Sequence, residues 1–236
     1  MTDIKSKWAL VTGASRGVGQ QIALGLAQKG VNVVLHSRSI SNQDKTIDLL
    51  KNYDIQVEQV ACDLTDSASI ATCIQEAEQK SGGIDIVYNN AAIMTQYISL
   101  FEVPVEDYQI SYQVNVLAVI QICTYFAQLM KERGYGRIIN VTSGIKDTPH
   151  LDAYSITKAA LDKYTRDLAV ELANTGVLAN MVDPGWCRTD LGGPEAFNDV
   201  KSVLPGALLP AMLGKEGDEE PRGMLFAAQD YSGIQW

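Results

Sequence analysis

At 236 residues, 46% of them apolar and 20% charged, the chain has the makeup of an ordinary globular protein, without the polar repetition that keeps a segment disordered. That length suits one α/β domain, although it would also hold two small ones. A formal net charge of −9 repels phosphate-rich surfaces, which argues against nucleic acid and anionic membrane as partners.

The first residues lack a charged start followed by an apolar export stretch, and Cys62, Cys73, Cys123 and Cys187 form no CxxC pair. Reduced thiols in a cytoplasmic protein are therefore expected. With two histidines, His36 and His150, and no close Cys/His cluster along the chain, a zinc site is not expected.

In chain order, the first apolar run, residues 8–11, reads as a strand. It feeds Thr12, Gly13, Ala14, Ser15, Arg16, Gly17, Val18 and Gly19 directly into the apolar periodicity of 20–29, with Gly30 placed to stop that helix. Glycines at a strand-to-helix turn let backbone approach a pyrophosphate, whose charge then sits at the positive end of a helix. The spacing is GxxxGxG, and a purely structural turn is the alternative. A second strand, 31–35, runs into His36, Ser37, Arg38 and Ser39. An acid here would accept from a ribose 2′-hydroxyl and repel a 2′-phosphate. None is present, while Arg38 and Arg16 offer guanidinium groups suited to phosphate, so NADP(H) is expected over NAD(H) unless both arginines are merely solvated.

Strands at 57–62 and 84–88 follow, separated by a helix over 67–80. A long helix is expected over 107–133, ended by Gly134, then a strand at 137–141, a helix over 152–174 with Gly176 beyond it, and a strand at 177–182. Six short apolar runs alternating with helices describe an α/β protein with a doubly wound parallel sheet, covered on both faces and undivided by any linker. The stretch 186–221, rich in proline and glycine, reads as a flap of loop and short helix, and 224–227 as a last edge strand.

Tyr154 and Lys158 lie four apart at the start of a helix, so they project from one face. A nearby ammonium and the positive ring of an oxidised nicotinamide would depress the tyrosine pKa, making a general acid in reduction and a general base in oxidation. Ser143, past the fifth strand, could hold a substrate oxygen against Tyr154, or simply form the strand-end turn.

In this order and spacing, TGASRGVG at 12–19, CDL at 62–64, NNA at 89–91, Asn115, TSG at 142–144, YSITK at 154–158 and PGWCRT at 184–189 resemble the short-chain dehydrogenase/reductase family over residues 7–191. The resemblance implies a Rossmann-type three-layer αβα fold and an NAD(P)-dependent oxidoreductase. It implies Asn115, Ser143, Tyr154 and Lys158 as the catalytic set, with Asn115 holding a water that links Lys158 to solvent. It further implies that Lys158 binds the nicotinamide ribose, that Asp63 and Leu64 flank the adenine, that Asn90 and Ala91 line the cleft, and that Pro184, Gly185 and Thr189 cover the nicotinamide. Ala92 departs from the usual NNAG, and only eleven residues separate Ser143 from Tyr154. The run PGWCRTDLGG and the terminal residues 234–236 resemble the carbonyl reductase branch.

Substrate contacts are expected from Ile93, Met94 and Tyr97, from His150 and Leu151, and from Trp186, Leu191 and Phe197. These are mostly apolar, which suits an uncharged aldehyde, ketone or quinone. Two other readings stay open: reduction of a carrier-bound 3-oxoacyl thioester, with Lys146, Arg188 and Lys201 meeting an acidic carrier, and a non-catalytic NADP sensor. The long helices are suited to a homodimer or homotetramer.

Overall fold

A computed structural model describes residues 1–145, 147–214 and 221–233. Lys146, 215–220 and the terminal 234–236 lie outside the described residues. Seven strands form one sheet: β1 (Trp8–Thr12), β2 (Asn32–Ser37), β3 (Val57–Ala61), β4 (Ile86–Asn89), β5 (Gly136–Val141), β6 (Val177–Asp183) and β7 (Leu225–Ala227). All pairings are parallel and the order is β3-β2-β1-β4-β5-β6-β7. The expected edge strand near 224–227 is β7, in register with the end of β6.

Residue alternation explains the layers. Ala9 and Val11 of β1 point into one apolar cluster and Leu10 into the other, so both faces of the sheet need cover. On the first face lie α1 (Gly17–Gln28), through Ile22 and Leu26, and α2 (Asp44–Leu50), through Leu50. The second is covered by α3 (Ser67–Ser81), α5 (Ala118–Arg133) and α6 (Asp152–Glu171), through Ile74, Phe126 and Leu161. Each such side chain contributes about 1.5–3 kcal/mol when fully buried.

Three features differ from the sequence reading. The seven residues of α2 carry too short a periodicity to stand out. The helix expected over 107–133 is divided: α4 (Val105–Tyr112) passes through a π turn (Gln113–Leu117) into α5. An 18-residue window within Val105–Arg133 is apolar and long enough to pass for a membrane span by length and composition, yet 56% of that window is buried inside the fold. Finally, the flap expected over 186–221 divides. Residues 200–212 turn back beneath the sheet, where Val203, Ala207, Leu208 and Ala211 are buried in the same cluster as α1. Only the part before them stays at the open edge.

Parallel strands place all their carboxyl ends on one edge, and the order reverses between β2 and β4 on either side of β1. Such a reversal leaves a crevice, because successive crossovers depart to opposite faces.

Candidate active site

The crevice opens above the turn between β1 and α1, where the chain reverses within residues 13–16. Gly13 has φ +67°, and a Cβ there would stand 2.9 Å from the Cα of Ala91. A Cβ at Gly19 would collide with the Gly13 carbonyl and lie 2.5 Å from the Asn90 amide. The turn is therefore packed directly on the tip of β4. Thr12 Oγ1 accepts from the amides of Asn90 and Ala91, each at 3.0 Å, while Asn90 Nδ2 donates to the carbonyls of Thr12 at 3.0 Å and Gly13 at 3.3 Å. Asn90 thus acts by holding the turn in shape. At the N-cap of α1, Arg16 makes no side-chain cap bond and the first turn holds no acid, so the helix presents its positive end and amides to the crevice.

The crevice is a cleft of about 840 Å³. Its walls bring together Gly13, Ser15, Arg16, Gly17 and Val18 from the turn, Arg38 from the end of β2, Asp63 and Leu64 after β3, and Asn90 and Ala91 after β4. Tyr154, Lys158, Pro184 and Thr189 close the other side. A dinucleotide fits this chemistry: a cradle that any side chain would fill, a helix start for the pyrophosphate, and no acid at the end of β2. Asp63 accepts the Thr65 amide at 2.9 Å, and that bond, with smaller help from the Arg38 charge, holds its carboxyl below the usual range. Arg16 reaches across the cleft to Asp190, Nε to Oδ2 at 2.9 Å, with both side chains largely exposed.

Tyr154 and Lys158 stand one turn apart near the start of α6, 7% and 4% exposed. Lys158 Nζ donates to the Val141 carbonyl at 2.8 Å and lies 5.5 Å from the centre of the Tyr154 ring. Burial pushes the lysine down to about 8, with Asp162 opposing the shift. In the chain by itself, burial, and after it the Asp183 carboxylate, push the Tyr154 phenol up. Behind the pair, Thr142 Oγ1 donates to Asp162 at 2.5 Å, and burial raises the Asp162 carboxyl.

Four expected residues are not on the cleft wall. Gly19 lies beneath the turn, and Gly185, with φ +73°, sits in the bend after Pro184, its amide donating to Asp183 Oδ1 at 2.8 Å. Ser143 is half-buried just past β5, next to the lining residue Thr142. Asn115 occupies the π turn, the kind of local widening that often marks functional positions. Its side chain is fully engaged: Oδ1 accepts the Ile93 amide at 2.9 Å, and Nδ2 donates to the Ile93 carbonyl at 2.9 Å and to Thr157 Oγ1 at 3.0 Å. Asn115 thereby ties the segment after β4 to α6. Ala92 is absent from the residues with positive φ, so its Cβ sits on ordinary backbone.

Of the expected substrate residues, Ile93, Met94 and Leu191 line the cleft. Tyr97 stacks on His150 at 4.9 Å, and Trp186 meets Phe197 edge-on at 5.0 Å, as two aromatic pairs away from the lining. Ile110 and Val114 also line it. Sequence reading missed them because the periodicity of 107–133 does not say which part of that helical face meets the cleft. A buried chain was equally hidden: Asn89 Nδ2 donates to Asn140 Oδ1 at 2.9 Å and Asn140 Nδ2 to Thr165 Oγ1 at 2.8 Å, joining β4, β5 and α6.

The short chain dehydrogenase family model matches residues 7–198, which include the glycine turn and the Tyr154–Lys158 pair. The chain belongs to that family. Among short-chain dehydrogenase relatives, oxidoreductase UcpA of Escherichia coli O157:H7 is 34% identical over 241 residues, covering 98% of this chain and 91% of that one. The 3alpha-hydroxysteroid dehydrogenase of Mediterraneibacter gnavus is 32% identical over 235 residues, covering 96% and 91%. A solved structure from Pseudomonas syringae described as a short chain dehydrogenase superposes with a TM-score of 0.88 at 26% identity, covering 96% of each chain. This short-chain dehydrogenase is thus an NAD(P)-dependent oxidoreductase acting on a small molecule.

Proposed function

We propose that this protein is a cytoplasmic NADPH-dependent reductase that converts an uncharged aldehyde, ketone or quinone into the alcohol, with Tyr154 as proton donor. The observation that carries the reading is the arrangement of Tyr154 and Lys158, buried one helical turn apart in the same cleft as the glycine turn. The reduced nicotinamide, when bound, supplies the hydride. Tyr154 gives its hydroxyl proton to the oxygen that the carbonyl becomes, and Lys158, held by Val141, stabilises the phenolate left behind. Ser143 orients the substrate oxygen from the adjoining turn. Asn115 acts as a positioning residue, since its amide holds Ile93 and α6 in place.

Preference for NADPH is supported by Arg38 at the end of β2 with no carboxylate beside it on that strand tip. Apolar Ile93, Met94, Ile110 and Leu191 favour an uncharged substrate. Exposed Val105 and Leu117 on the outer helices, with Val170 on α6, suit a homodimer or homotetramer. Of the three cations that the carrier-protein reading calls on, Arg188 donates to the carbonyls of Ala196 and Phe197, Lys201 is exposed, and Lys146 lies outside the described residues.

The test is Tyr154→Phe assayed against a carbonyl panel by NADPH absorbance. Turnover is expected to fall at least about 100-fold with NADPH binding retained. Unchanged turnover would sink the assignment.

A further inference from the structure

The sequence shows no close Cys/His cluster, but folding makes one. His36 comes from β2, Cys62 follows β3, and Cys73 faces the sheet from α3. One ligand atom from each lies within 4.8 Å of the others, and all three residues are buried. We propose that His36, Cys62 and Cys73 form a binding site for one zinc(II) ion, just behind the strand tips that carry Arg38 and Asp63.

Geometry supports the size. Zinc lies about 2.3 Å from thiolate sulfur and about 2.0–2.1 Å from imidazole nitrogen, so ligand atoms around it stand roughly 3.5–4 Å apart. Cys62 Sγ and His36 Nε2 are already 3.3 Å apart, so small rotations open the triangle to that spacing. Behind it is a void of about 10 Å³ walled by Leu10, Ile70, Ile74 and Ile122.

The chemistry supports the ion. His36 Nε2 faces both the Cys62 carbonyl and its sulfur at 3.3 Å, while Nδ1 has no partner among the described residues. With its proton on Nδ1, a neutral imidazole turns the Nε2 lone pair toward the Cys62 sulfur, the orientation that a shared ion requires. The Cys62 and Cys73 sulfurs and the imidazole all face one another inside this triangle, with no charged group among them. Binding exchanges two thiol protons for the cation. Two thiolates and a neutral imidazole then cancel its charge, which an apolar wall requires. Thr12, the remaining polar neighbour, is already bonded to Tyr88, Asn90 and Ala91, so a small solvent ligand completes the tetrahedron.

The test uses the full-length protein, reduced with a phosphine and titrated with zinc chloride against a chromophoric chelator. One equivalent is expected to bind at about 0.1 μM or tighter, with release of two protons. Cys62→Ser and Cys73→Ser are each expected to weaken it at least about 100-fold, and Cys187→Ser to leave it unchanged. Two wild-type measurements remain informative should a variant fail to fold. Cobalt(II) in place of zinc should give thiolate charge-transfer absorption, and zinc should protect Cys62 and Cys73, but not Cys187, from alkylation. Absence of stoichiometric uptake by the folded wild type overturns the proposal, as does equal uptake by the folded Cys62→Ser/Cys73→Ser protein.

Discussion

Lys158→Met should make the protein more stable while removing the charge proposed to serve Tyr154. The lysine is buried, and its pKa falls from 10.5 to about 8, a difference of about 2.5 units. At about 1.4 kcal/mol per unit, the charged form costs the folded state about 3 kcal/mol at pH 7. Methionine has a similar length and no charge, but it leaves the Val141 carbonyl without its 2.8 Å donor, a loss of about 1 kcal/mol. The net gain is about 2 kcal/mol, or about 4–8 °C in Tm for a chain of this size. Because the folded pKa lies below the unfolded one, the unfolded chain binds more protons between about pH 8 and 10.5, so the wild-type penalty is full below pH 8 and fades above it. The advantage of Lys158→Met should therefore be largest at pH 6–8 and small by pH 10. Urea unfolding of both proteins across that range measures it. A variant less stable at pH 7, or an advantage independent of pH, would refute the reasoning.

Three further outcomes can be checked. Arg38→Ala should lower kcat/KM with NADPH by about 10–100-fold and leave that with NADH nearly unchanged, the loss expected for one charge-assisted phosphate contact, read from steady-state kinetics with both cofactors. Gly19→Ala drives a methyl group onto the Gly13 carbonyl and Asn90, so cofactor affinity measured by fluorescence titration should fall at least about tenfold while the far-ultraviolet circular dichroism persists. Asn115→Ala removes three hydrogen bonds and leaves the Ile93 amide and carbonyl unpartnered, so urea unfolding should show a loss of about 2–4 kcal/mol.

Much of this architecture was legible because each strand carries its own apolar run and each crossover its own helical period. The glycine turn was legible for a local reason, since a strand, a tight turn and a helix start follow without interruption. What could not be read depended on contacts between distant segments. The π turn leaves no mark in the periodicity of 107–133. Nothing near Val203 or Leu208 says that the later flap is core, because proline and glycine signal a break in regular structure and not its depth. The surroundings of Tyr154 were only half legible, because the sequence shows the lysine four residues on but hides Asp183 and the depth of burial. His36, Cys62 and Cys73 come from three elements, and only the sheet register makes them neighbours.

The return of residues 200–212 beneath the sheet has a mechanical consequence. A Cβ at Gly25 would stand 2.7 Å from Leu204 Cδ2 and 2.9 Å from Leu208 Cδ1, so the segment that follows Pro184 and Thr189 on one wall of the cleft is wedged against the helix whose first turn forms the opposite wall. The two halves of the cleft share a foundation. Loosening that wedge, as by Leu204→Ala, would let both walls shift together.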